Sequence, residues 1–180
     1  MYTTRLHSPL GTMMLASDGA AVTGLWLEGQ TYYASTLDGS EREDGSLPVF
    51  HQAAAWLEAY FSGTPLPPLP PLAPGGTPFR QAVWARLREI PYGQVTTYGA
   101  LAQSLQAQGI SASPRAVGGA VGHNPISILI PCHRVVGTGG SLTGYAGGLE
   151  KKQFLLRLEG IDPAHLPVSD SPCLRKYAQP

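Results

Sequence analysis

Cysteine and charge are both scarce in this chain of 180 residues, which holds two cysteines and 13% charged residues. Two thiols, Cys132 and Cys173, do not make a disulfide framework, and they cannot supply a multi-cysteine zinc site. The five histidines are scattered singly, so a structural metal is not expected. No apolar run approaches the roughly 18 residues of a membrane span, and the opening Met-Tyr-Thr-Thr-Arg-Leu-His-Ser-Pro lacks the charged-then-apolar pattern of a signal peptide. A soluble, cytoplasmic protein without a membrane partner is expected. The net charge is zero, from 12 basic and 12 acidic residues, which as a bulk figure argues against a polyanion partner.

The distribution of that charge argues the other way for half of the chain. Up to Gly75 there are two basic residues, Arg5 and Arg42, against seven acidic ones; from Gly76 onward there are ten basic against five. The halves carry −5 and +5, and such asymmetry points to a polyanion partner for the second half only.

The order of elements predicts an α+β fold: a small N-terminal strand-and-helix domain, then a mainly helical domain with a helix-turn-helix. "YTTRLHS", "TMMLAS" and "AVTGLWLE" read as a meander broken by "SPLG" and Asp18-Gly19. Val49, Ala53, Trp56, Leu57, Tyr60 and Phe61 recur at helical spacing and stop at Ser62-Gly63. The polar stretch between, "GQTYYASTLDGSEREDGS", reads as irregular. Seven prolines between Pro65 and Pro78 make a semi-extended spacer. The expected organisation is thus residues 1–64 as a bracing domain, 65–78 as linker, 79–162 as the chemical domain and 163–180 as tail.

The second segment opens with a helix near Phe79 that presents Val83 and Leu87 on one face until "IPYG" breaks it. Thr97 is placed to cap "YGALAQSL", with Leu101 and Leu105 inward; Ser113 and Pro114 open "RAVGGAVGHN". Two short helices joined by small residues have the outline of a helix-turn-helix. "ISILIP" reads as a buried strand or extended segment, followed by "CHRVV", the glycine-rich "GTGGSLTGYAGG", and a helix "LEKKQFLLRLE" stopped by Gly160.

Cys132 and His133 carry the clearest chemistry. The thiolate is the nucleophile, and an ordinary thiol is only a few per cent ionised at neutral pH, so a base must sit close by. His133 can be that base, with Glu159 fixing its tautomer. Neighbouring side chains on an extended strand point to opposite faces, so contact between them requires a turn or a bridging water. A cysteine beside a histidine is, by itself, more often a pair of core residues.

The surrounding sequence separates the two readings. "NPISILIPCHRVV" from Asn124 to Val136 resembles the active-site signature of the O6-alkylguanine-DNA alkyltransferases. "SPRAVGGAVGHN" resembles that family's recognition helix, "TGYAGGLEKKQFLLRLEG" its pocket loop and supporting helix, and "FRQAVWARLREIPYGQVTTYGALA" its opening helices. The resemblance runs without a break from about Phe79 to Gly160. It implies direct, single-turnover repair of double-stranded DNA carrying O6-alkylguanine, or O4-alkylthymine, by a monomer without cofactors.

The resemblance also implies roles for single residues. Cys132 accepts the alkyl group; His133, through a water, removes the thiol proton, with Glu159 behind it; Tyr98 donates to the departing base; Asn124 is the hinge before the active-site segment. Arg115 is the finger that fills the gap left by a flipped nucleotide, on a DNA-binding surface with Ala116, Gly118, Gly119 and Thr97. Val121, the backbone of Cys132 and Val135, and the loop of Tyr145, Ala146 and Gly147 enclose the base. Ala146 stands where family members often carry serine, and Ser127 where some carry proline. Each residue alone has a plainer reading: a solvated arginine, a packing tyrosine, turn glycines, a surface carboxylate. Three other functions compete: a binder of alkylated DNA without repair, in which the cysteine is replaced; a cysteine hydrolase using Cys132, His133 and Glu159; and a DNA-binding regulator using the helix pair alone.

Overall fold

The computed structural model describes residues 1–166; Cys173 and the rest of the tail expected at 163–180 lie, from residue 167 on, outside the described residues. The chain divides into two units. One is Met1–Gly75 with Pro125–Leu129; the other is Gly76–Asn124 with the chain from Ile130 onward.

In the first unit the meander forms as expected. Strands β1 (Tyr2–Ser8), β2 (Gly11–Ser17) and β3 (Val22–Leu27) pair antiparallel in turn, with Leu6 opposite Met13 and Leu15 opposite Leu25. A two-residue strand, β4 (Arg42–Glu43), adds parallel to β1 and gives the order β3-β2-β1-β4. This short edge lies inside the stretch expected to be irregular, where no apolar alternation marks it. Helix α1 (Pro48–Ser62) packs on β1, β2 and β3. Pro48 at its first turn carries the fixed φ a helix start wants, and Gly63 closes it at φ 65°, a left-handed position without penalty only for glycine. Val49, Phe50, Ala53, Trp56, Leu57 and Tyr60 are buried; Phe61, expected with them, instead lines an open cavity with Leu6, Met13 and Leu57.

The proline-rich segment is more than a spacer. Val22 donates to the Pro71 carbonyl and accepts from the Ala73 amide, so residues 71–73 add to the free edge of β3. Proline is tolerated there because an edge needs only alternate backbone groups. The chain returns to this unit at 125–129, where Leu25 accepts from Ser127 and donates to Pro125. Ser127 is buried and bonds through its hydroxyl to Gln30 Oε1 at 3.1 Å. The segment "ISILIP", expected as a buried strand or extended segment, is buried, forms one bridge, Leu25 with Ile126, and turns at Ile128, φ 68°. A β-branched residue in that region is strained, and apolarity alone does not mark this turn.

The second unit is mainly helical: α2 (Pro78–Leu87), α3 (Tyr98–Gln106), α4 (Pro114–Gly122) and α5 (Leu149–Leu158). The expected caps form. Thr97 accepts from the Ala100 amide and Ser113 from the Ala116 amide. Helices α2, α3 and α4 pack on one another, and Trp84 Nε1 donates to the Ala120 carbonyl at 2.8 Å across the α2–α4 contact. Residues 107–113 connect α3 to α4. Among the described residues no helix is long and apolar enough to cross a membrane.

Candidate active site

A 3-10 turn and one short strand pairing bring the predicted residues together. Cys132 opens a single 3-10 turn, Cys132–Arg134, which leads into β6 (Val135–Val136). That strand pairs in parallel with β5 (Thr96–Thr97), Thr96 against Val135 and Thr97 against Val136. Because Thr97 caps α3, the ladder sets the first residue of that helix, Tyr98, beside the cysteine segment. The turn also removes the strand alternation that would have sent Cys132 and His133 to opposite faces.

Cys132 is 5% exposed. Its sulfur takes a hydrogen bond from Asn124 Nδ2 at 3.2 Å, and the same Nδ2 donates to the Ile130 carbonyl at 2.8 Å. Asn124 thereby ties the end of α4 to the cysteine. Burial pushes the thiol above its ordinary range; the Asn124 bond and the Lys152 charge pull it back only in part. At rest the group is a thiol, and the thiolate forms when a proton is taken from it.

His133 is wholly buried, and its Nε2 lies 2.7 Å from Glu159 Oε1. Glu159 caps the C-terminus of α5, where the helix dipole disfavours an anion. Four donors offset this. Besides His133, Arg134 Nε reaches Oε2 at 2.9 Å, Arg134 Nη2 reaches Oε1 at 2.9 Å, and the Gly93 amide reaches Oε2 at 3.1 Å. Burial alone would raise the carboxyl; the bonds and charges of His133 and Arg134 outweigh it and hold it at about 2. For His133 burial is again the largest influence, and it lowers the imidazole against the upward pull of Glu159. Gly93 sits at φ 72°, and a Cβ there would stand 3.2 Å from the Glu159 carbonyl, so the amide contact requires glycine.

Tyr98 directs its hydroxyl to the carbonyls of Thr143 and Gly144, at 3.2 and 3.3 Å. Burial, followed by the nearby Cys132, pushes the phenol up to about 12, which keeps it a donor at neutral pH. Tyr145 is half-buried, and its hydroxyl, shut off from solvent, makes no hydrogen bond within the described residues. Burial and the proximity of Cys132 raise it well above the ordinary phenol range. Ala146 and Gly147 follow, also half-buried, while Val121 and Val135 are buried.

On α4 the exposed face carries Arg115, Ala116 and Gly119, with Val117, Ala120 and Val121 inward. A Cβ on Gly119 would meet nothing within 4 Å, and one on Gly118 only Tyr98 at 3.8 Å. Internal packing therefore does not explain why these positions are small. Thr97, expected on this surface, is 4% exposed and its hydroxyl is engaged in the cap of α3.

Sequence reasoning missed two cations. Lys152 is fully buried and donates to the carbonyls of Val135 at 2.6 Å and Thr143 at 3.0 Å. Burial lowers its ammonium to about 8, against the opposing influence of Cys132. The signal was present: Lys152, Leu155, Leu156 and Glu159 fall at i, i+3, i+4 and i+7, the stripe of one helix face. Arg134, next in sequence to His133, is the other. A cavity of about 460 Å³ in the first unit, lined among others by His7, Met13, Glu58 and Phe61, includes none of the predicted site residues. Among the described residues no group of three or more His, Cys, Asp or Glu is placed to hold a metal ion.

Comparison with known proteins adds two family matches. Residues 1–72 match the model of the 6-O-methylguanine DNA methyltransferase ribonuclease-like domain, and residues 78–161 that of the DNA-binding domain. The chain is 45% identical over 162 residues to the methylated-DNA–protein-cysteine methyltransferase of Haemophilus influenzae, covering 89% of this chain and 87% of the relative. It is 42% identical over 161 residues to that of Methanosarcina acetivorans, covering 89% and 99%. The crystal structure of Mycobacterium tuberculosis OGT in complex with DNA superposes with a TM-score of 0.78 at 38% identity, covering 97% of each chain.

Proposed function

The chain belongs to the 6-O-methylguanine DNA methyltransferase family, and on that premise we propose that it repairs double-stranded DNA by moving an alkyl group from O6 of guanine to Cys132. The observation that carries the reading is the buried thiol held by Asn124 beside a His133–Glu159 pair. It sits in a unit whose adjoining helix leaves an arginine and small residues uncovered.

The chemistry follows from these groups. The proton of Cys132 passes through a water to His133, whose positive charge Glu159 then faces. The sulfur attacks the alkyl carbon in line as the carbon–O6 bond breaks, and the electron pair stays on the guanine. Tyr98, a donor because its phenol is held protonated, turns to the base and offsets that charge. A thioether has no route back to a thiol here, so each molecule acts once.

A stacked base cannot reach a protein thiol, and extruding it costs a few kcal/mol. Arg115 fills the vacated space, and the open surface of Ala116, Gly118 and Gly119 lets the minor groove approach. Thr97 fixes the start of α3, the helix packed against α4. Val121, the Cys132 and Val135 backbone and residues 145–147 receive the base. O4-alkylthymine presents a similar edge and is a second substrate. The protein works as a monomer, in the cytoplasm, where reducing conditions keep the nucleophile a thiol.

The test is an intact-mass measurement after mixing with a duplex containing O6-methylguanine. One methyl per protein, mapped to Cys132, with no product beyond the protein concentration, is expected. Turnover beyond that, or methylation elsewhere, would replace this reading with the hydrolase or another enzyme class. Cys132→Ala is expected to bind the duplex and transfer nothing.

A further inference from the structure

Four donors converge on Glu159, and two of them come from one side chain. Arg134 lays Nε and Nη2 across both carboxylate oxygens, anchors Nη1 on the Ile90 carbonyl at 2.6 Å, and holds its guanidinium carbon 5.8 Å from the centre of the Tyr92 ring. Tyr92 in turn donates to the Leu158 carbonyl at 2.9 Å. The fork is built from the 90–93 turn, the 3-10 turn and the end of α5 together, so its geometry is fixed from three sides. Glu159 Oε1 is shared: it meets His133 Nε2 and Arg134 Nη2 at once.

This sharing changes what His133 faces. A buried imidazole beside an unaccompanied carboxylate is drawn to the imidazolium form, because the ion pair is the cheapest way to bury the anion. An imidazolium has donors on both nitrogens and cannot take a proton. Beside a carboxylate already matched by a guanidinium, the neutral ring is the stable partner. It donates its one N–H from Nε2, which leaves Nδ1 as the acceptor.

We propose that Arg134 is a positioning residue of the proton relay: by cancelling the charge of Glu159 it holds His133 as the neutral Nε2–H tautomer, ready to receive the Cys132 proton. The proposal rests on the alkyl-transfer reading above, and it adds a fourth member to the chain of cysteine, histidine and glutamate. The charged groups that act on the ring are Glu159 and Lys152 from α5 and its end, and Arg134 from its own turn, where Cys132, the proton donor, stands next to it. Glu159 favours the charged ring; Arg134 and Lys152 oppose it.

The sign of the effect is testable. Transfer needs neutral His133, so the single-turnover rate falls as pH drops through its titration. In Arg134→Gln the unmatched carboxylate raises that titration, and the acid limb of the rate profile moves up by about one pH unit or more. Below both titrations the rate, relative to its own plateau, falls about tenfold below wild type for each pH unit by which the limb has moved. Arg134→Lys keeps the charge and keeps the wild-type limb, with a lower plateau. In Arg134→Gln/Glu159→Gln both charges are gone, and the limb returns toward wild type. A merely structural arginine would lower the plateau and leave the limb in place, and the double variant would only be worse; either result overturns the proposal. Should Arg134→Gln not fold, imidazole nitrogen NMR of the unaltered protein decides, with His133 identified by the signal missing from His133→Asn. A neutral Nε2–H ring at pH 7 and at pH 6 is expected; an imidazolium or an Nδ1–H ring at pH 7 refutes it. Failure of the wild type to take up any alkyl group would count against the repair reading alone, since the NMR result does not depend on transfer.

Discussion

Replacing Asn124 by alanine should separate reactivity from stability. The side chain makes two bonds from one nitrogen, to the Ile130 carbonyl and to the Cys132 sulfur. The Ile130 carbonyl keeps the Cys132 amide at 2.8 Å, so it is not stranded, and the stability loss is that of ordinary hydrogen bonds, about 0.5–1.5 kcal/mol for each one removed. The sulfur fares worse. As it gains negative charge during transfer, the Asn124 bond becomes charge-assisted and worth roughly 1.5–3 kcal/mol. At 1.36 kcal/mol per tenfold, its loss slows single-turnover methyl transfer by about 10- to 150-fold. Asn124→Asp, nearly isosteric, also loses the donor and adds a like charge, and is expected to be slower still. Rapid-quench transfer from an O6-methylguanine duplex gives the rates, and urea unfolding gives the stability. The deficit of Asn124→Ala should narrow as pH rises, because alkali supplies the thiolate that the amide no longer favours. A folded Asn124→Ala that transfers within twofold of wild type would refute the assignment of Asn124 to the sulfur.

Three further outcomes are expected. Glu159 has its folded pKa depressed to about 2 from 4.5, so its contribution of about 3 kcal/mol is complete above pH 4.5 and is lost as pH falls toward 2. The unfolding free energies of wild type and Glu159→Gln should therefore converge on acidification, and a constant gap would be inconsistent with the depressed carboxyl. Trp84→Phe removes the bond to Ala120 between two buried groups and should cost about 1–3 kcal/mol by urea titration, whereas an unchanged midpoint would mean that the α2–α4 contact does not rely on it. Methylation of Cys132 inserts carbon at a position 5% exposed, so the alkylated protein should be about 1–3 kcal/mol less stable. A melting temperature that is equal or higher after reaction would show that the site has room to spare.

Much of the fold was legible because local rules carried it. Thr97 and Ser113 cap as their side chains dictate, Gly63 and Gly160 end helices at positive φ, and Leu101, Leu105, Val83 and Leu87 are buried as their spacing requires. The parts that were not legible depend on distant partners. Nothing local marks Arg42-Glu43 as a strand; it exists because β1 offers an unpaired edge. "ISILIP" looks like a strand but follows Leu25 for one bridge only and then turns at Ile128. Phe61 keeps the helical spacing, yet the last turn of α1 borders a cavity.

The candidate site divides in the same way. The order of residues settled which groups can do chemistry here: a thiol, an imidazole, a carboxylate and a phenol, in a context that names the family. Sequence could not say which of them touch, since hydrogen bonds between residues 26 or more positions apart depend on where the elements come to rest. It was folding that placed Arg134 across Glu159, buried Lys152 against two carbonyls, and buried Thr97. Those placements set the charge each group carries, because a buried ion is stabilised only by the partners that packing brings within reach.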